Sequence, residues 1–244
     1  YYKTDKMNKI VIAIDSFKGC LTSEEAGIAV MKGIKTIFPD CEILLFPIAD
    51  GGEGMLDVLI SATQGKYRTL PAHGPLMELI QAQYGISGDG QTALIEMAAI
   101  SGLPLVPEEK RNPMLTTTYG TGELILDALE QGCRRFIVGI GGSATNDAGL
   151  GMLQALGFRF LDKRGNLLGT GGKIMSQVAS IDTSAVHPAL KETRFTIACD
   201  VHNPFCGSDG AAYIFAPQKG ADARMVKELE AGMQALSQVI RSAT

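Results

Sequence analysis

The sequence predicts an α/β protein in which a parallel strand–helix–strand unit opens the chain and a larger mixed α+β region follows. Three observations predict it. A β-branched run at 9–14 (KIVIAI), a capped helical pattern and a second apolar run at 42–48 (EILLFPI) succeed one another at the spacing of a βαβ unit. Beyond residue 52 the period changes to short runs separated by close turns, the pattern of antiparallel pairing. The 244 residues are 45 % hydrophobic and 20 % charged, which suits a sizeable core in one large or two ordinary domains.

The first helix starts at Thr22 or Ser23, with Glu25 close behind to complete a cap. Its apolar positions Ala26, Ala29, Val30, Gly33, Ile34 and Ile37 recur at helical spacing, and Pro39 and Asp40 end it. Two strands and one helix cannot bury both faces of a parallel sheet. The unit is therefore expected to join the sheet of the later region or to be completed by strands from elsewhere. Residues 55–63 read as a short helix, and 66–71, 80–86 and 92–97 as strands, with a turn at 87–90. A helix over 121–131 stops at Gly132, a strand follows at 136–140, and a helix over 146–156 comes after it. Residues 158–161 form a small hairpin arm with a turn at 162–165, and 195–199 and 211–215 read as buried strands. A closing amphipathic helix spans 222–242, with Val226, Leu229, Met233, Leu236, Val239 and Ile240 on one side. The change of period places the domain boundary near residue 52, dividing the chain into 7–52 and 53–244.

A net charge of −4 argues against nucleic-acid or membrane-surface partners, which favour a basic stripe. It does not exclude phosphate, since backbone amides and helix starts supply positive ends locally. The five cysteines, at 20, 41, 133, 199 and 206, lack a disulfide rhythm and fit reduced thiols in the cytoplasm. The apolar run at 136–141 is too short for a membrane span, which needs about 20 apolar residues. The polar opening lacks the apolar core of a signal peptide, and Met7 reads as a natural start.

The 29 glycines cluster where the backbone must do something unusual. The strongest cluster is 139–149 (GIGGSATNDAG), a strand running into a glycine-rich loop and then a helix. Gly141, Gly142, Ser143, Thr145, Asn146 and Asp147 there offer amides and side-chain donors to an anion such as a nucleotide phosphate. The loop is neither a P-loop nor a clean GxGxxG. A tight turn with a helix cap would use the same residues without a ligand. Thr118, Gly120 and Thr121, in the hydroxyl-rich helix entry at 116–123, suggest a second face toward the same phosphate, or simply a cap with surplus threonines. Asp15, Ser16 and Lys18 follow the first strand, and Asp50, Gly51, Gly52 and Glu53 the second. Carboxyl ends of strands are where α/β sheets bind ligands. Lys18 suits a carboxylate or phosphate, and Asp50 or Glu53 a hydroxyl or Mg²⁺; capping and turn formation are the plainer roles. Asp200, straight after the strand at 195–199, is placed to take a proton from a substrate hydroxyl, or to make a turn before Asn203 and Pro204. Cys199, His202 and Cys206 lack the spacing of a zinc site. His73 and His187 are expected in surface loops; Lys219 is placed to reach a phosphate, with a solvated lysine at a helix start as the plainer role.

Taken together, 12–19 (IAIDSFKG), 49–54 (ADGGEG), 116–125 (TTTYGTGELI), 139–149, 198–200 with Asn203 and Pro204, and 215–220 (FAPQKG) resemble the type I bacterial glycerate kinase family. The resemblance runs from Met7 to the end and keeps the family's motif order. It implies ATP-dependent phosphorylation of D-glycerate to 2- or 3-phosphoglycerate, with Mg²⁺. It implies a flavodoxin-like α/β domain, begun by 7–52, and an inserted mixed domain of restriction-enzyme-like fold, 53–244. It also puts Asp200 on the acid expected as base, with Lys18 and Asp50 beside it. Ile14, Cys20, Met55, Ala148 and Leu150 depart from the usual motif residues without removing a charge. Family chains continue beyond the position of Thr244 and return to the first domain, so this chain is expected to be incomplete and to lack full activity. A kinase for a related small hydroxy acid, and a non-catalytic nucleotide- or anion-binding fragment, remain as alternatives. A dinucleotide-dependent oxidoreductase is weaker, for want of the GxGxxG and its ribose-binding acid.

Overall fold

A capping box launches the first helix. In this computed structural model, which describes residues 8–17 and 20–243, the Thr22 hydroxyl accepts from Glu25 N–H while the Glu25 carboxylate accepts from Thr22 N–H. The helix α1 (Ser23–Ile37) crosses between β1 (Lys9–Ile14) and β2 (Glu42–Pro47), which pair in parallel from Lys9 opposite Glu42 to Ile14 opposite Pro47. A Cβ on Gly27 would lie 2.2 Å from Leu45 Cδ1, so glycine lets α1 settle on the strands. The pair forms its own two-stranded sheet rather than joining the larger one. Val11 and Phe46 stay more than half exposed, as two strands and one helix require.

The larger sheet has the order β3-β4-β5-β6-β9, built from β3 (Lys66–His73), β4 (Leu79–Ile86), β5 (Thr92–Glu96), β6 (Arg135–Gly139) and β9 (Arg194–Ala198). The first three strands pair antiparallel, as their close spacing predicts, and β5, β6 and β9 run parallel. Alternation along the central strands sorts side chains to the two faces. Ala93, Ile95, Phe136 and Val138 pack under α4 (Tyr119–Glu130) with Leu124, Ile125, Ala128 and Leu129. Leu94 and Ile137 point the other way, to Leu56 and Ile60 of α2 (Met55–Thr63). The short α3 (Ala98–Ser101) follows β5 directly.

A second core gathers α5 (Leu150–Ala155), the arm strands β7 (Arg159–Leu161) and β8 (Ser180–Asp182), α6 (Ala211–Phe215) and α7 (Ala223–Ala243). Leu229, Met233 and Leu236 of α7 are buried there, on the predicted apolar side.

Four expectations need correction. The strand expected to be buried at 195–199 is β9, the edge of the five-stranded sheet, and its Phe195 and Ile197 stay exposed because no described element covers that edge. Residues 211–215 are helical, not a strand; a five-residue apolar run has no period of its own, and Ala212 turns into the core beside α7. The helix expected from 146 begins at Leu150, because Ala148 and Gly149 take left-handed φ values of 51° and 73°. The arm β7 pairs with the distant β8, while the 162–165 turn closes locally through hydrogen bonds around Asp162 and a bridge between Leu161 and Leu167.

Candidate active site

Three parallel strands end level with one another. Glu96, Gly139 and Ala198 are register partners at the carboxyl ends of β5, β6 and β9, the edge where such sheets present ligand-binding loops. The turn after β2 folds onto that edge. Gly141 N–H donates to Gly51 O at 3.3 Å, and Ile140 N–H to Ala198 O at 3.4 Å. No side chain fits in this seam. A Cβ on Gly51 would lie 2.8 Å from Ala198 O, one on Gly139 2.4 Å from Gly51 O, and one on Gly141 2.8 Å from Gly52 Cα. Asp50 shapes the turn by accepting Gly52 N–H at 2.9 Å. The structure thus brings Asp50, Gly51 and Gly52 against Gly141 and the strand end that carries Asp200. Asp200 itself is exposed, two residues beyond β9.

The glycine-rich loop is pinned along one side only. Leu103 N–H donates to Gly142 O and Ala144 N–H to Ser101 O, both at 2.8 Å. Gly142 has a φ of +70°, and the N–H groups of Gly142 and Ser143 donate to nothing among the described residues. Two successive free amides in such a turn form an anion-binding concavity.

This geometry agrees with what comparison of the whole chain finds. Residues 10–244 match the model of the glycerate kinase family. The chain belongs to that family. It is 52 % identical over 235 residues to glycerate 2-kinase of Escherichia coli strain K12, covering 96 % of this chain and 62 % of that protein. It is 52 % identical over 222 residues to a glycerate kinase of Bacillus subtilis strain 168, covering 91 % and 58 %. A crystal structure assigned to glycerate kinase 2 of Salmonella typhimurium LT2 superposes with a TM-score of 0.87 at 45 % identity, over 96 % of this chain and 63 % of that one. The chain therefore spans about three fifths of the length of these glycerate kinase relatives.

Within this glycerate kinase family chain, several residues expected to face a phosphate are buried and engaged with one another. Thr118, Thr121, Asn146 and Asp147 are all less than a tenth exposed. Asp147 accepts from Thr118 N–H at 2.8 Å, the Thr118 hydroxyl at 2.9 Å, Gly149 N–H at 3.1 Å and Gly151 N–H at 3.2 Å. One carboxylate therefore ties the start of α4 to the turn before α5, and those amides are spent. Thr116 donates to Ala144 O at 2.8 Å, Thr121 meets Ser101 at 2.8 Å, and Asn146 Nδ2 reaches Met233 Sδ at 3.4 Å. Thr145 is buried as well, its carbonyl accepting from Lys219 at 2.6 Å. Gly120 is a packing glycine: a Cβ there would sit 1.9 Å from His73 O. The two loops do meet, but through their own hydrogen bonds.

The other wall is a cleft of about 890 Å³ between the β1–α1–β2 unit and α2. Asp15, Ser16 and Glu53 line it; the glycine-rich loop and Asp200 do not. The turn at 50–54 separates the two, Glu53 facing the cleft and Gly52 the loop. Ser16 Oγ is buried on the cleft wall without a partner among the described residues. Lys18 lies outside the described residues.

Three residues escaped sequence reasoning, wholly or in part. Lys219, in solvent on its plainer role, is 8 % exposed and donates to Ser143 Oγ at 2.8 Å. Burial lowers its ammonium to about 8, against the opposing pull of Asp147. The signal was Gly220 behind it: a left-handed residue, φ +94°, closing a single turn at Pro217–Lys219 that aims the lysine inward. Glu96, also lining the cleft, is 7 % exposed and accepts Leu56 N–H at 3.1 Å. Burial pushes its carboxyl up, partly offset by that bond. An acid ending an otherwise apolar strand marks it in the sequence. His73, expected in a loop, ends β3 and pairs with Glu123 through Nδ1 at 2.8 Å, its ring edge-on to Tyr119.

Proposed function

We propose that this protein is an ATP-dependent kinase that phosphorylates D-glycerate to 2- or 3-phosphoglycerate. The observation that carries the reading is the unspent pair of amides at Gly142 and Ser143, beside the strand ends that present Asp50 and Asp200, in a chain of the glycerate kinase family. The loop Gly141–Gly142–Ser143 holds nucleotide phosphate. Asp15, Ser16, Gly51, Gly52 and Glu53 bind glycerate from the cleft and its dividing turn, where the unpartnered Ser16 hydroxyl suits a hydroxy acid. Lys18 is assigned to the glycerate carboxylate. As the substrate oxygen bonds to the γ-phosphorus and ADP departs, Asp200 accepts the hydroxyl proton. Thr118, Gly120, Thr121, Thr145, Asn146 and Asp147 hold the loop from behind rather than touch phosphate.

Among the described residues no group of three His, Cys, Asp or Glu is placed to hold a metal ion. That suits Mg²⁺, which keeps several waters and takes one or two carboxylates besides phosphate oxygens. Asp50 would hold it, and the ion would offset charge on the phosphates. The same reading takes 7–52 as the opening of a flavodoxin-like domain and 53–244 as an inserted domain of restriction-enzyme-like fold, supported by the separate two-stranded sheet. The partners are ATP and glycerate. The cytoplasm suits the five free cysteines, and no helix of the described residues is long and apolar enough to cross a membrane.

A coupled assay of ADP release with ATP, Mg²⁺ and a panel of small hydroxy acids tests this. Turnover with D-glycerate is expected, falling by a factor of 10²–10⁴ in Asp200→Asn with little change in ATP affinity. Turnover with another hydroxy acid alone would move the assignment to that substrate. The span of three fifths of the relatives' length favours a second reading, a nucleotide-binding portion without turnover. Nucleotide binding with no ADP release would select it.

A further inference from the structure

Lys219 has no duty in the transfer step, yet it is the one buried ammonium at the phosphate loop. It comes from a different layer. The turn Pro217–Lys219 stands between α6 and α7 in the second core, while Ser143 and Thr145 belong to the loop after β6. Gly220 fixes the approach: a Cβ there would lie 2.3 Å from Arg111 O, so only glycine lets the turn close against residue 111. Two of the three ammonium N–H groups are committed, to Ser143 Oγ at 2.8 Å and to Thr145 O at 2.6 Å.

The chemistry of that contact has a direction. An ammonium only donates, so Ser143 Oγ must accept from it. The serine's own O–H is then turned away from Lys219. No described residue accepts it. It belongs to the residue whose own N–H, like that of Gly142 before it, donates to nothing among the described residues. A neutral amine could instead accept a hydrogen bond from the hydroxyl and reverse the contact.

We propose that Lys219 is a positioning residue that polarises Ser143, holding its hydroxyl as a donor toward a phosphate bound at the Gly142 and Ser143 amides. The proposal rests on the kinase reading and deepens it. The ligand class is a phosphate monoester or polyphosphate anion. Lys219 acts through Ser143, and its bond to the Thr145 carbonyl holds the ammonium in place. The charged groups around it are few. Asp147 pulls from the same loop. Arg111 lies against Gly220, and Glu230 of α7 is engaged by Gly207 N–H at 2.7 Å and Gln234 at 2.7 Å.

The test is ADP affinity by calorimetry between pH 7 and 9.5, with a thermal melt at each pH. Wild-type affinity is expected to fall about tenfold as pH passes through about 8. Lys219→Arg stays charged and should remove the fall. Ser143→Ala should weaken binding about tenfold at pH 7 and flatten the profile. Adding Lys219→Met to Ser143→Ala should then cost little more, because both act through one hydroxyl. A wild-type affinity that is level across this range, or a pH fall that survives in Ser143→Ala, overturns the role of Lys219 while leaving nucleotide binding in place. Absence of ADP binding in folded wild-type protein overturns the kinase reading itself, and this proposal with it.

Discussion

Tyr84 and Asp127 meet beneath α4, where the Tyr84 hydroxyl donates to Asp127 Oδ2 at 2.6 Å and Arg68 donates to both carboxylate oxygens. The guanidinium first, and the phenol after it, hold the Asp127 carboxyl below the usual carboxylate range. A depressed carboxyl contributes stability that is complete above the unfolded value of about 3.9 and is lost as pH falls through the folded one. Tyr84→Phe should therefore cost about 1 kcal/mol at neutral pH and shift the acid-side loss of stability to higher pH. Thermal melts from pH 7 to pH 3 read both effects; an unchanged acid limb would remove Tyr84 from the account. At this scale the sequence is readable where a residue works through its neighbours in the chain. Thr22 and Glu25 announce their cap. Asp147 and Lys219 do not announce theirs, since their partners lie 29 and 76 residues away.

Helix α2 begins without a side-chain cap of its own, because Gly54 takes a left-handed φ of +90°. Glu96 supplies the acceptor from the end of β5, 40 residues on. Burial raises this carboxyl, so the folded chain holds the proton more tightly than the unfolded chain does. Folding then gains from Glu96 as pH drops from neutral toward the unfolded glutamate range. Glu96→Gln keeps an acceptor for Leu56 N–H and removes the buried charge. It should melt no lower than wild type at pH 7, with any advantage vanishing near pH 5. Glu96→Ala leaves that amide bare and should cost about 1–3 kcal/mol. Most helices were legible from their apolar period, with a capping box to mark the start of α1. The failures have separate causes: at 211–215 the apolar run is too short to carry a period, and at 146–149 Asp147 and the left-handed Ala148 and Gly149 make a turn before the helix.

The β1–β2 sheet and the five-stranded sheet touch through glycine backbone in the turns after their strand ends. Gly51 and Gly54 share nearly the same φ, +88° and +90°, but only Gly51 has backbone where a Cβ would go. Alanine at either position bears the left-handed penalty of about 1–2 kcal/mol. Gly51→Ala must also move Ala198 away, so it should melt several degrees below Gly54→Ala and lose more ADP affinity. Equal losses would mean that the seam is not what aligns the loops. The sequence marked these glycines as a cluster but not their mutual contact, which joins positions 51, 141 and 198. The seam also bears on how such a site can change over generations. Glycine has no smaller replacement, so substitution there can only wedge the loops apart and never refine their fit. On the proposed reading, new substrate preferences would then arise off the seam, among the cleft-lining Asp15, Ser16 and Glu53, where side chains can be exchanged without touching the joint.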